Sequence, residues 1–166
     1  MSAITLHDIQ VRHTLAPGDL GYIAYLHGDI YAKECNYGLN FEMYVLDGLK
    51  EFARAYDVEK DKLWICEHAG KIMGCMVVQH RGEQLQLRYF LFLPAYRGIG
   101  LGKYLVQEFV QFMKERKIQY GFLWTTSEQL AAISLYTRFG FRLTEEKNSQ
   151  NFDKPVVEQR YDLTLP

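Results

Sequence analysis

Between Arg97 and Lys103 the chain reads Arg-Gly-Ile-Gly-Leu-Gly-Lys, with Gly98, Gly100 and Gly102 at alternate positions after an apolar run and before a helical pattern. Glycine has no Cβ, so backbone N–H groups there can approach an anion closely, and a helix N-terminus adds partial positive charge. Phosphate binding is the chemistry such a stretch could do. Two familiar phosphate loops do not fit it. The pattern G-x-x-x-x-G-K-[ST] needs one more residue between glycines, and Tyr104 stands where Ser or Thr would hold magnesium. The dinucleotide pattern G-x-G-x-x-G fails on spacing and on place, since the loop follows a hairpin meander and does not open a βαβ unit. A turn glycine followed by two helix-packing glycines explains the spacing as well as an anion seat does.

An anion seat of this kind needs a strand before it and a helix after it. "QLQLRYFLFL" from Gln84 supplies the strand, and Leu105, Val106, Phe109, Val110, Phe112 and Met113 supply a broad apolar helical stripe. Upstream, "KLWICEH" from Lys62, the Ala69-Gly70 turn, "KIMGCMVVQH" and the Arg81-Gly82-Glu83 turn extend an antiparallel meander. Gln10 to Thr14 reads as a first strand, and Asp19 as the cap of a helix that runs to the Asn36-Tyr37-Gly38 break. A second helix follows through Phe41, Val45, Leu49 and Phe52. Downstream, "YGFLWT" reads as a strand, Leu130 to Arg138 as a helix, and Phe141 to Glu145 with Val156 to Leu163 as closing strands. The polar Asn148 to Asn151 segment reads as a mobile loop between them.

The 166 residues, 48% of them apolar and without a long polar linker, read as one domain, 1–166. The 19 basic and 20 acidic side chains are spread evenly for a net charge of -1, which argues against a nucleic-acid or membrane partner. Cys35, Cys66 and Cys75 lack the spacing of a disulfide framework or a zinc site and are expected to be buried thiols, with no metal bound. Neither a signal peptide nor an apolar run long enough to span a bilayer is visible. A soluble, cytoplasmic protein is the expectation.

Two motifs taken together carry a resemblance. Arg97-Gly98-Ile99-Gly100-Leu101-Gly102, preceded by Pro94, resembles the [QR]-x-x-G-x-[GA] motif of the GNAT superfamily of acyl-CoA-dependent N-acyltransferases. Downstream, "QLAAISLYTRFGF" from Gln129 to Phe141 resembles that superfamily's N-x-x-A-x-x-L-Y-x-x-x-G-F segment at Ala132, Leu135, Tyr136, Gly140 and Phe141. The order of elements matches the superfamily's layout from end to end. The resemblance therefore implies an α/β (α+β) fold, a mixed, mostly antiparallel sheet flanked by helices. His27-Gly28 with Tyr31 and Glu34 further looks like acetyltransferase domains fused behind MarR-type regulators, for which a single domain leaves no room.

What the resemblance implies for chemistry is transfer of an acetyl group from acetyl-CoA to a primary amine of a small molecule or peptide, by direct attack. A non-catalytic acyl-CoA sensor with the same fold is the alternative. Arg97, Gly98, Ile99, Gly100, Leu101, Gly102 and Lys103 would cradle the coenzyme A pyrophosphate, with Leu91, Phe92 and Leu93 pairing with the pantetheine arm as an added strand. Tyr136 would protonate the departing thiolate, and Gln129, where the family more often has Asn, would contact the cofactor arm. The strand before the loop lacks the carboxylate that many family members use as general base. Glu34, His27 and His80 are the candidates, beside water. Tyr31 and Arg88 complete the acceptor candidates; Arg88 would bind a carboxylate or pair with Glu34 or Glu42. Tyr22, Tyr25, Tyr37, Phe41 and Tyr44 could also line an acceptor cleft, and Trp124-Thr125-Thr126 could approach it where the sheet splays. Asp29, Glu34 and Glu42 favour a cationic acceptor. Such domains commonly form homodimers.

Overall fold

A computed structural model describes residues 4–166. In chain order its elements are β1 (Gln10–Arg12), α1 (Asp19–Cys35), α2 (Leu39–Ala55), β2 (Lys62–His68), β3 (Lys71–Arg81), β4 (Gln84–Phe92), α3 (Leu101–Glu115), β5 (Tyr120–Thr126), α4 (Leu130–Arg138), β6 (Arg142–Ser149) and β7 (Val156–Thr164). The strands form one 7-stranded sheet in the order β1-β2-β3-β4-β5-β7-β6. Tight turns dictate the antiparallel pairings, while the crossover through α3 makes β4 and β5 parallel.

Helices cover both faces of this sheet. Along β2 the side chains alternate: Leu63 and Ile65 join α1 and α2 residues such as Ile23, Val45 and Phe52, whereas Trp64 and Cys66 join α3 residues such as Leu105 and Phe109. Cover on both faces explains why this strand is nearly continuously apolar. The long helices α1 and α2 pack closely where Gly28 meets Glu42; a Cβ on Gly28 would lie 3.0 Å from the Glu42 carboxylate.

β4 changes faces partway along. Its register to β3 runs Val77 to Arg88 and then Cys75 to Leu91, so β4 carries one extra residue, and Tyr89 takes φ +49°. This is a β-bulge. Before it, Leu85 and Leu87 pack on the α3 side. After it, Tyr89 and Leu91 pack toward α1 and α2, and Phe90 and Phe92 turn to the α3 side.

The C-terminal strands depart from the sequence expectation. β6 does not stop at Glu145 but continues through Asn148 and Ser149, because β7 still offers partners at Val157 and Val156. The tip beyond it is tied down and not a free loop. Phe152 is buried and its carbonyl accepts from Gly38 N–H at 3.0 Å, while Asp153 accepts the Asn40 N–H at 2.9 Å. Asp19 also differs in role: Gly18 occupies the cap of α1, and the Asp19 carboxylate accepts the Ala16 N–H at 2.7 Å and pairs with Arg12.

Candidate functional site

Parallel pairing of β4 with β5 ends at Leu87 and Leu123. From there β5 pairs only with β7, at Trp124 to Thr126, and β4 only with β3. The sheet therefore splays, leaving the edge of Arg88 to Phe92 without a strand partner. A cleft of about 580 Å³ fills the gap. Its walls include both diverging strand ends, the glycine loop and α4 on one side, and α1 with the α1–α2 connection on the other.

The glycine loop opens onto this cleft. Gly98 and Gly100 have φ +78° and +89°, and no heavy atom lies within 4 Å of a Cβ built at either position. Gly100 caps α3 without any side-chain hydrogen bond, so the first N–H groups of that 15-residue helix have no internal acceptor. Gly102 serves packing, since a Cβ there would meet Leu135 at 3.3 Å. Arg97, Gly98, Leu101 and Gly102 line the cleft. Ile99 packs into the α3-side core, and Lys103 is exposed on the first turn. Leu91 and Phe92 lie on the open edge. Leu93 is off the cleft wall, and its N–H donates to the Met73 carbonyl at 2.8 Å on the β3 side.

Tyr136 reaches the cleft from α4, packed against Phe90 and Phe141. Burial drives its phenol pKa well above the ordinary value, so the hydroxyl keeps its proton. Gln129, just before α4, donates to Cys35 Sγ at 3.1 Å and so bridges α4 to the end of α1. Cys35 is half-buried in the cleft wall, unlike the buried thiols Cys66 and Cys75. Cys75 donates its S–H to the Tyr89 carbonyl at 3.0 Å and holds the bulge in place.

The acceptor-side candidates separate. His27 is buried, with 5% exposure, and donates from Nδ1 to the Ile23 carbonyl at 2.8 Å. Its ring stacks on Tyr31 and meets Tyr89 edge-on, with centroids 6.0 and 5.7 Å away. Burial lowers its pKa to about 4, leaving it neutral, and raises that of Tyr31 to about 12. Glu34 lines the cleft but is held by Arg97 Nη1 at 2.8 Å. Arg88 also lines it, and it donates to Gln79 at 2.9 Å and approaches Glu51 at 3.7 Å instead of Glu34 or Glu42. His80 is corrected outright. It sits opposite Leu85 beyond the closed end of the splay, bound to Asp61 at 2.6 Å, and is not on the cleft wall.

Tyr31, Tyr37, Phe41 and Tyr44 form the aromatic side of the cleft, whereas Tyr22 and Tyr25 stack on each other, exposed and away from it. Asp29 and Glu42 are likewise off the wall, and Asp29 pairs with Lys33. The sequence reading missed Glu128 and Phe152. Glu128 accepts from Tyr37 Oη at 3.0 Å and pairs with Lys154 at 2.6 Å. Its place directly after the splayed end of β5 was a usable signal; Phe152, inside a polar stretch, offered none. Among the described residues no cluster of three or more metal-ligating side chains occurs, and no helix is long and apolar enough to cross a membrane.

The family model described as "Acetyltransferase (GNAT) family" matches residues 29–141. The mouse protein N-acetyltransferase family 8 member 7 is 29% identical over 113 residues, 62% of this chain and 50% of its own, so the chain spans about half the length of that curated relative. A crystal structure of an acetyltransferase from Streptococcus agalactiae superposes with TM-score 0.78 at 19% identity, over 96% of this chain and 100% of the other. A GNAT family acetyltransferase from Elizabethkingia anophelis, solved with acetyl-CoA bound, superposes with TM-score 0.64 at 16% identity, over 95% and 99% of the two chains.

Proposed function

The chain belongs to the acetyltransferase (GNAT) family, and on that premise we propose that it moves an acetyl group from acetyl-CoA to a primary amine of a small molecule or peptide by direct attack. One observation carries the proposal. The unpaired edge of β4 from Arg88 to Phe92 leads to a glycine loop and an uncapped helix N-terminus on the wall of one cleft. A strand edge suits the amide-bearing arm of coenzyme A, and bare N–H groups suit its pyrophosphate. Acetyl-CoA supplies an activated acyl carbon; everything else falls to the chain's own residues.

Arg88 to Phe92 would align the arm, and Gly98 to Lys103 would hold the phosphates. A backbone N–H at the bulge would stabilise charge on the carbonyl oxygen, worth about 3 kcal/mol for one such donor. Tyr136, whose hydroxyl stays protonated, would donate to the departing sulfur. Gln129, held by Cys35, would meet the arm from the opposite side. Tyr31, Tyr37, Phe41 and Tyr44 would receive the acceptor.

The second reading, an acyl-CoA-binding module without turnover, draws on the absence of a carboxylate from Gln84 to Phe92. Coenzyme A binding measured by calorimetry, beside thiol release from acetyl-CoA across a panel of amines, separates the two. Binding with amine-dependent release supports the transferase; binding with no release from any amine supports the module.

A further inference from the structure

Each carboxylate on the cleft wall already holds a cation: Glu34 pairs with Arg97, Glu128 with Lys154 and Glu158 with Lys147. The His27 imidazole differs. Its Nδ1 is committed to the Ile23 carbonyl, which can only accept, so the proton sits on Nδ1 and Nε2 keeps a lone pair. Nε2 has no partner among the described residues, although the ring is 95% buried by its 5% exposure and lines the cleft. Tyr31 and Tyr89 clamp it from two elements, and Tyr89 is the bulge residue of the open strand edge. Among the described residues the fully enclosed side-chain polar atoms without a partner are Trp64 Nε1 and Tyr89 Oη, and Nε2 is not one of them, so its lone pair is reachable from the cleft.

We propose that His27 Nε2 takes the proton from the acceptor amine as that nitrogen bonds to the acyl carbon. The inference rests on the acyl-transfer reading and adds the residue that this reading lacks. The amine lone pair forms the N–C bond, one N–H proton passes to Nε2, and the C–S electron pair leaves with sulfur. Tyr136 gives its proton to that sulfur, and the proton held on Nε2 returns through solvent to the Tyr136 phenolate, so one amine and one thioester give one amide and one thiol. While charged, the ring keeps its Nδ1 bond to Ile23, now strengthened by the charge.

Burial makes this imidazole a weak base, unable to deprotonate a free alkylammonium, yet competent toward a nitrogen already acidified by bonding to the acyl carbon.

Three measurements test this. In 15N-histidine-labelled protein alone at pH 7, long-range 1H–15N spectra should show His27 protonated at Nδ1 and bare at Nε2; the opposite tautomer overturns the proposal. His27→Gln keeps a donor toward Ile23 and an acceptor toward the cleft but cannot take a proton. Its coenzyme A affinity should stay within about threefold while kcat falls by about 10²-fold or more, measured with n-butylamine, tyramine, spermidine and an alanyl peptide. A kcat within about fivefold of wild type overturns it. In His27→Ala, added imidazole should restore turnover and pyrrole, of the same shape without the basic nitrogen, should not; equal effects of the two, including none from either, overturn it. Wild-type protein that binds coenzyme A but acetylates none of these amines defeats the transferase reading and this proposal together.

Discussion

Arg97 Nη1 and Glu34 Oε1 meet at 2.8 Å across the cleft, tying the glycine loop to the end of α1. Both side chains are partly exposed, at 44% and 39%, so water and salt screen the pair and its net worth is within about 1 kcal/mol. Glu34→Gln should leave thermal stability nearly unchanged and thiol-release kcat within about fivefold. A fall of about 10²-fold in kcat would return Glu34 to the role of base.

Gly48 on α2 is the backbone floor beneath the bulge. A Cβ there would fall 2.2 Å from Tyr89 Oη and 2.5 Å from Arg88 Nη2. The arginine end can swing away, but the tyrosine ring is buried and its hydroxyl already lacks a partner. Gly48→Ala should cost about 1–3 kcal/mol in urea denaturation, since the rigid ring has no space to yield. An unchanged midpoint would contradict this packing.

Tyr136→Phe removes one oxygen and keeps the ring between Phe90 and Phe141. Coenzyme A affinity should be preserved and kcat should fall by about 10²–10⁴-fold, the range for general acid assistance. An unchanged kcat would end the assignment of Tyr136 as the proton donor to sulfur.

Gly100→Ala has room in the protein, yet it carries a side chain at φ +89° at the cap of α3, where the proposed phosphate site begins. Folding should weaken by about 1–3 kcal/mol from backbone strain alone. Calorimetry should show a coenzyme A dissociation constant raised by about tenfold or more; equal affinity would place the phosphates elsewhere.

His27 also predicts an acid-labile fold. Its pKa falls from 6.5 when unfolded to about 4 when folded, so below pH 6.5 the unfolded chain binds the extra proton and stability drops as pH falls toward 4. Between pH 7.5 and 4.5 the loss from this group is roughly 2–3 kcal/mol. Urea titrations at the two pH values should show that increment in wild type and its absence in His27→Gln, with the carboxylate contributions common to both.

Much of the fold was legible in local pattern. Turn glycines at Gly70 and Gly82 and the apolar stretches between them fixed the hairpins, because turn conformation and strand period are decided within a few residues. The loop from Arg97 to Lys103 and the segment holding Tyr136 stood out for the same reason. The bulge did not, since alternation stops at Arg88 and the run from Tyr89 to Leu93 is continuously apolar, so no change of face is marked in it; Tyr89 takes positive φ where it joins the α1 and α2 side of the core.

The sequence by itself determined the order and kind of the elements, that a bare strand-to-helix junction exists and that a tyrosine follows it, because these depend on neighbours along the chain. Only the tertiary structure decided which candidates share a cleft and which of them is free. His80 left the site because β3 carries it to Asp61, and Glu34 was neutralised because the loop delivers Arg97 to it. Availability of a titratable group is set by the partners that other elements bring within about 3 Å, and no spacing within one segment encodes that distance.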